Sequence, residues 1–224
     1  KHLYSKPGRE LTADLNLNKS ENSNGGGFKT QYYDLNKTAK GIPINQSQEG
    51  KGGNTFYTGQ VDFTNPISSN AKVEMGIRAA VRDFQSENLN YINGIPIYSL
   101  NANYKFNDRV LAAYTTYSSS FSKKTNYQLG LRAESSKYTG TLLTTGKGFQ
   151  NSYPFSLFPS LNLTHQISPS QDIQFSYTRK INRPNFFQIL PFIDYTDSLN
   201  INRGNPELVP EFLSLIHISE PTRR

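Results

Sequence analysis

A two-residue period of apolar and polar side chains recurs along most of this chain, and few folds accept it so many times. Leu11, Ala13, Leu15 and Leu17 alternate with Thr12, Asp14, Asn16 and Asn18. Tyr57, Gly59, Val61 and Phe63 oppose Thr58, Gln60, Asp62 and Thr64. Val73, Met75, Ile77, Ala79 and Val81 oppose Lys72, Glu74, Gly76, Arg78, Ala80 and Arg82. Tyr127, Leu129, Leu131 and Ala133 oppose Gln128, Gly130, Arg132 and Glu134. Leu157, Leu161, Leu163 and Ile167 form one face of a further segment, and Ile173, Phe175 and Tyr177 form one face of another. Alternation of this kind places successive side chains on opposite faces of a β-strand. The segment from Arg109 to Ser119, rich in Ala and Tyr, is a strand whose two faces are not separable by composition.

The connections between these strands alternate in length. Short ones lie at Thr64 to Asn70, Ser118 to Thr125 and Ile167 to Ser170. Long polar ones lie at Ser86 to Asp108, Thr141 to Tyr153 and Arg183 to Pro210. Short turns on one side and long loops on the other are expected of an antiparallel transmembrane β-barrel. Successive strands from Thr55 onward then run alternately inward and outward. The N-terminal part is expected to hold a turn at Gly25-Gly26-Gly27, a possible strand from Phe28 to Leu35, and a mobile polar stretch from Asn36 to Asn54. Aromatic girdles are expected from Tyr57, Phe63, Tyr117, Phe121, Tyr127, Tyr138, Tyr153 and Tyr177.

Composition supports a barrel. Only 35% of the 224 residues are hydrophobic and mean hydropathy is -0.62, yet 14 Tyr and 14 Phe are too many for a disordered chain. In a barrel wall only alternate residues face lipid, which reconciles the two values. No apolar run is long enough for a transmembrane helix. A net charge of +7 raises nucleic acid as a partner, but the Lys and Arg are scattered rather than clustered on one face, which argues against it. There is no Cys and hence no disulfide or thiolate metal site. A soluble β-sandwich also alternates, but it does not require alternating loop lengths or a regularly charged opposite face.

The stretch Tyr177-Thr178-Arg179-Lys180-Ile181-Asn182-Arg183-Pro184, followed by Leu190-Pro191-Phe192, Asp194-Tyr195 and Arg203-Gly204-Asn205-Pro206-Glu207-Leu208, resembles the outer-membrane β-barrel family of TonB-dependent receptors common in Bacteroidota. Lys6-Pro7-Gly8-Arg9-Glu10-Leu11, Gly130-Leu131-Arg132-Ala133-Glu134 and Leu157-Phe158-Pro159-Ser160-Leu161 resemble further strand-entry and strand motifs of that family. The resemblance extends to Phe212. It implies a barrel of about two dozen strands with an N-terminal plug, of which residues 1–212 supply seven or eight strands from the C-terminal half. It also implies energy-coupled import of a scarce small-molecule, glycan or peptide ligand, such as a metal chelate. The implied partners are outer-membrane lipid, the TonB complex acting through a plug outside these residues, and a surface lipoprotein. The alternatives are a non-transporting adhesin or structural barrel, and a soluble glycan-binding β-sandwich.

Residues 213–224 depart from that family. Leu213 to Arg223 reads LSLIHISEPTR, which resembles an in-frame translation of a transposon-type sequencing adapter. They are expected to be an artefact, which removes His217 and Glu220 from any site.

Two groups of candidate functional residues remain. Glu74, Arg78, Arg82, Arg132, Glu134 and Arg179 are expected to face the lumen, because charges on a lipid face are costly. They serve either as a polar track or as ion pairs that stiffen the wall. Asn182, Arg183, Pro184, Asp194, Gly204, Asn205, Pro206 and Glu207 mark an extracellular loop. Pro184 ends a strand, Gly204 permits unusual dihedrals, and Asn205-Pro206 sets a turn. The loop either orders the rim or contacts ligand. Asp194 and Asp197 are close enough in sequence to share a cation, although a solvated loop is the simpler reading. His165 belongs at the interface near a short turn. Asn36, Asn45 and Asn162 begin Asn-x-Ser/Thr matches that are fortuitous in a bacterial outer membrane. No acid, base, nucleophile or cofactor constellation stands out, so neither an enzyme nor a cofactor is expected.

Overall fold

The computed structural model describes residues 1–189, 193–194 and 202–219. Among these residues twelve strands follow one another: β1 (His2–Leu3), β2 (Glu10–Tyr33), β3 (Ala39–Pro66), β4 (Lys72–Ile92), β5 (Ile95–Pro96), β6 (Ala102–Ser122), β7 (Thr125–Leu142), β8 (Lys147–Ser168), β9 (Gln171–Asn182), β10 (Ile193–Asp194), β11 (Asn202–Arg203) and β12 (Glu211–Ser219). A 3-10 turn at Tyr98–Leu100 precedes β6, and a one-turn helix, α1 (Phe186–Ile189), follows β9.

Ten strands form one antiparallel sheet in the order β1-β2-β3-β4-β6-β7-β8-β9-β12, with β5 paired to β4; β10 and β11 pair separately. The sheet does not close on itself. Apart from the short β5, β10 and β11, neighbours in space are neighbours in sequence, as in an up-and-down wall. Strand direction alternates throughout, as the sequence predicts.

The long strands exceed expectation, and this changes the N-terminal half. Gly25-Gly26-Gly27 is not a turn: it lies inside β2, paired with Glu49, Gln48 and Ser47. Residues 39–54 are ordered within β3 rather than mobile. The reversal comes instead at Asp34–Thr38. There the Asp34 carboxylate accepts the Asn36 and Thr38 amides at 2.9 and 2.8 Å, and Lys37 takes φ 63°. Two of the long polar segments are likewise mostly strand. Ser86 to Ile92 completes β4 and residues 102–108 begin β6. Asn93-Gly94, both at positive φ, make the hairpin turn between β4 and β5. Three glycines mimic a turn signal, but nothing in an extended ladder forbids glycine; it only forgoes side-chain packing.

Cα pairing across the sheet assigns the faces. One carries Leu11, Phe63, Met75, Thr115, Leu131 and Pro159 in a single row; above it lie Ala13, Val61, Ile77, Ala113, Ala133 and Leu157. This face is exposed: Leu15 is 89%, Ile77 61% and Leu111 59% accessible. Left in water, each such side chain forgoes ~1.5–3 kcal/mol of burial, so a face this apolar requires an apolar surround.

The opposite face carries the buried aromatics Tyr104, Phe106, Tyr138 and Phe158. A register shift between Glu134 and Ser136, where β8 bulges at Pro154-Phe155, exchanges the faces of β8 above it. Tyr153 and Asn151 therefore face the same side as Tyr138 and Ser136. This corrects the girdle assignment of Tyr138 and Tyr153, which pack against one another and Phe106 on the charged face.

β12 pairs with β9 from Glu211–Asn182 to Ser219–Gln174. It includes Leu213–Ser219, part of the adapter-like stretch. Ladder bonds come from the main chain, and β12 is exposed over all but its last residue. Glu220 lies outside the described residues.

Candidate functional site

Three rows on the charged face concentrate the polar groups. Asp62, Gly76, Tyr114, Arg132 and Phe158 pair across β3, β4, β6, β7 and β8; Gln60, Arg78, Ala112, Glu134 and Ser156 form the next row; Phe56, Arg82, Asp108, Tyr138 and Asn151 form the third of these, two residues further along each strand from Ala80 and Val110. The alternation of each strand selects its polar residues, and the antiparallel register brings them side by side.

The first row is bridged over a glycine. The Tyr114 hydroxyl crosses Gly76 to donate to the Asp62 carboxylate, which also accepts the Gln60 amide at 2.7 Å. A Cβ at Gly76 would lie 2.5 Å from both the Tyr114 and the Asp62 oxygens, so only glycine leaves this path open. The Arg132 guanidinium lies over the Tyr114 ring, 5.8 Å from its centre. Arg132 then donates from Nε and a terminal nitrogen to Glu134 Oε2 at 3.1 and 2.9 Å.

Glu134 is the junction. Its side chain is only 6% exposed, and its other oxygen pairs with the guanidinium of Arg183. A buried carboxylate is tolerable when charged donors reach both oxygens. Arg183 follows β9 by one residue, so this ion pair ties the start of the long 183–210 connection down onto the charged face. Burial pushes the Arg183 guanidinium below the ordinary arginine range; the Asp108 carboxylate opposes that shift and Arg132 adds to it. Arginine remains charged at any pH the fold survives. Arg183 Nε and Asp108 Oδ1 are buried without a hydrogen-bond partner among the described residues, and Glu134 Oε1 and the Arg183 terminal nitrogen meet as an ion pair without hydrogen-bond geometry.

The connection continues inward. Asn185 and Gln188 bond each other's amides at 2.8 and 3.0 Å, a reciprocal box that starts α1. Ile189, 1% exposed, then inserts against Phe106 and Tyr138. Further along, the Asn205 amide donates to the Gln188 carbonyl at 2.6 Å, and the Asn205 side chain accepts the Glu207 amide at 2.9 Å. The Pro206 carbonyl accepts the Asn151 side chain at 3.3 Å, and that side chain also donates to the Tyr138 hydroxyl at 3.1 Å. Arg183, Ile189 and Pro206 thus fasten the connection to one face of β6, β7 and β8.

The candidate residues divide accordingly. Arg132, Glu134 and Arg183 come together, although they belong to different motifs. Arg78 and Arg82 share that face and are exposed; Arg82 lies over the Phe56 ring, 5.3 Å from its centre. Glu74 pairs with Lys72 at 2.9 Å, toward the short-turn end. Pro184 and Gly204 are half-buried, and Asn182 donates weakly to Glu211 at 3.4 Å. Glu207 is exposed. Asp194 sits in β10 opposite Asn202, while Asp197 lies outside the described residues. No metal-ligand group occurs among the described residues. His165 bonds Thr125 at 2.8 Å near a short turn.

Arg179 is placed differently from the other charges. Its parity is that of Phe175 and Tyr177, not of Thr178, which pairs with Ser160. The β8–β9 ladder stops at that pair. Above it the Arg179 guanidinium lies 5.0 Å from the centre of the Phe212 ring, and Phe212 stacks on Phe158 with centroids 6.2 Å apart. Arg179 thus reaches the row of Arg132 only indirectly, through Phe212 and Phe158. Sequence reasoning overlooked Asp62, Asp108 and Tyr114. The parity of Gln60 and Asp62 was visible; that of Asp108 and Tyr114 required the β6 register.

The outer membrane protein beta-barrel family model matches residues 2–219. No curated protein matches the chain. Among solved structures, the ferric yersiniabactin uptake receptor of Yersinia pestis superposes with a TM-score of 0.54 at 9% identity, covering 96% of this chain and 32% of that one. A ferric citrate transporter in its unliganded form gives a TM-score of 0.46 at 11% identity, over 80% of this chain and 29% of that one. The chain thus spans about a third of the length of these structures. The apolar exposed face, the polar opposite face and the antiparallel meander are what such a wall requires. The chain belongs to the outer membrane protein beta-barrel family and lies in the outer membrane.

Proposed function

We propose that this chain forms part of the barrel of a TonB-dependent receptor, of the type common in Bacteroidota, that imports a scarce ligand across the outer membrane. The observation that carries the reading is the fastening of the 183–210 connection onto the charged face through Arg183 and Glu134. A pore wall that holds a long connection on its lumen side has a ready means of narrowing its mouth. The charged rows then line the route, and the apolar face meets lipid. A plug domain and the TonB complex supply the energy coupling. The ligand is a metal chelate, a glycan or a peptide.

The test is uptake in cells that carry the complete protein or lack it. Deleting the gene is expected to abolish growth on one scarce nutrient supplied as chelate, glycan or peptide. Collapsing the proton-motive force is expected to stop uptake of that nutrient in wild-type cells. Uptake that persists after deletion for every ligand class, or that needs no energy, would sink the reading.

A further inference from the structure

The outward face carries a groove with a charged edge, and neither belongs to the lumen network. The groove, about 650 Å³, is floored by Gly59, Ala79, Ala113 and Ala133 and walled by Leu15 and Phe155. The two walls are 89% and 68% exposed, and the apolar Ile77 and Leu111, 61% and 59% exposed, stand between them beside the small floor residues. Because this face looks into the outer membrane, acyl chains are what surrounds it.

Directly above the groove, Arg109 and Lys137 stand opposite each other as Cα partners on β6 and β7. They follow Leu111 and Ser135, two groove residues, by one step of the same face, roughly 7 Å along each strand. Both are exposed, and neither forms an ion pair among the described residues. Arg109 donates to the neutral Asn107 at 2.9 Å, and Asn107 in turn donates to Asp83 at 2.5 Å, so an amide stands between Arg109 and that carboxylate. Lys105 continues the same face beyond them.

Their height is informative. From Tyr127 to Lys137 the strand covers about 33 Å, or about 25 Å of height at a tilt of ~40°. That is the depth of the apolar band of an outer-membrane barrel. Tyr117, Tyr127 and Phe121 cluster at its lower margin, and the two cations mark its upper margin. That margin is on the side where β2, β3 and the 183–210 connection project.

We propose that this groove and the Arg109–Lys137 pair form a binding site for one anionic, phosphate-bearing lipid of the outer leaflet. Acyl chains lie along the groove between Leu15 and Phe155, and the phosphate sits between the two cations. Basic side chains at a membrane surface favour anionic headgroups over zwitterionic ones. The inference rests on the outer-membrane placement and not on the transport reading, so uptake and lipid binding fail independently.

Native mass spectrometry of the complete protein, purified in mild detergent, tests it with lipid A as probe. One lipid A per protein is expected. R109Q/K137Q is expected to weaken retention roughly 10- to 30-fold, and R109K/K137R to preserve it. Ala113→Phe, which fills the groove and leaves both charges, is expected to weaken it too. Phosphatidylcholine and free pyrophosphate are expected to bind far more weakly than lipid A. Equal retention by R109Q/K137Q would overturn the proposal. So would pyrophosphate binding as tightly as lipid A, which marks a bare phosphate site, or a lipid-free dimer, which marks a second copy as the occupant.

Discussion

Glu134 is the residue on which the polar face turns. One carboxylate serves Arg132 and Arg183 from opposite sides. Glu134→Ala leaves two half-buried guanidiniums facing each other without their shared anion. The expected cost is about 1–3 kcal/mol of barrel stability, read as a lower denaturant midpoint. Arg183→Ala in the same background is expected to cost less than it does alone, because the partner is already absent. Additive losses would show that the two residues do not act as a pair. Gly76 offers an independent check. Gly76→Val obstructs the Tyr114–Asp62 hydrogen bond, whereas Tyr114→Phe removes only the hydroxyl. The glycine variant is expected to be the more damaging, since it adds a clash of about 1–3 kcal/mol to the lost bond. Equal midpoints for the two variants would contradict this.

At the scale of elements, the β2–β3 hairpin is the feature furthest from expectation. Above Leu17 its ladder continues to Tyr33, roughly 50 Å of strand beyond the apolar band. A short epitope inserted between Asp34 and Thr38 is therefore expected to be labelled by antibody on intact cells. The same epitope between Lys123 and Lys124, at a short turn, is expected to be labelled only after permeabilisation. The reverse result would invert the wall. The strands themselves were legible because alternation is a direct image of the pleat: Val73 to Arg82 and Tyr127 to Glu134 could be read off residue by residue. Other features were not. Gly25-Gly26-Gly27 carries a turn composition inside a ladder. The bulge at Pro154-Phe155 exchanges the faces of β8, so Tyr153 has the wrong parity for its position. Tyr114 and Asp108 lie on a strand whose Ala and Tyr residues populate both faces. Arg183 was legible as part of a motif, but its contact with Glu134 joins segments distant in sequence, and no local pattern encodes that.

For the whole molecule, one sheet divides two media. Its apolar face carries Leu129, Leu131 and Ala133, and its polar face carries Gly130, Arg132 and Glu134, on a single strand with single-residue spacing. Leu131→Arg, near the middle of the apolar band, is expected to cost about 2–4 kcal/mol. Thr116→Arg, on the opposite face, is expected to cost little. The same division explains the low mean hydropathy of a membrane protein: half of each strand and every projection beyond the band is polar. Spin-label scanning along β7 tests this division most directly: these 224 residues contain no cysteine to compete with introduced ones, and any cysteine elsewhere in the complete protein is first replaced by serine. Single cysteines replace each residue from Tyr127 to Ser135 in the complete protein, reconstituted in lipid. Labels at the odd positions are expected to collide with oxygen and be shielded from a water-soluble nickel reagent; labels at the even positions are expected to show the reverse, with a period of two. Equal access to the water-soluble reagent at odd and even positions would contradict the account.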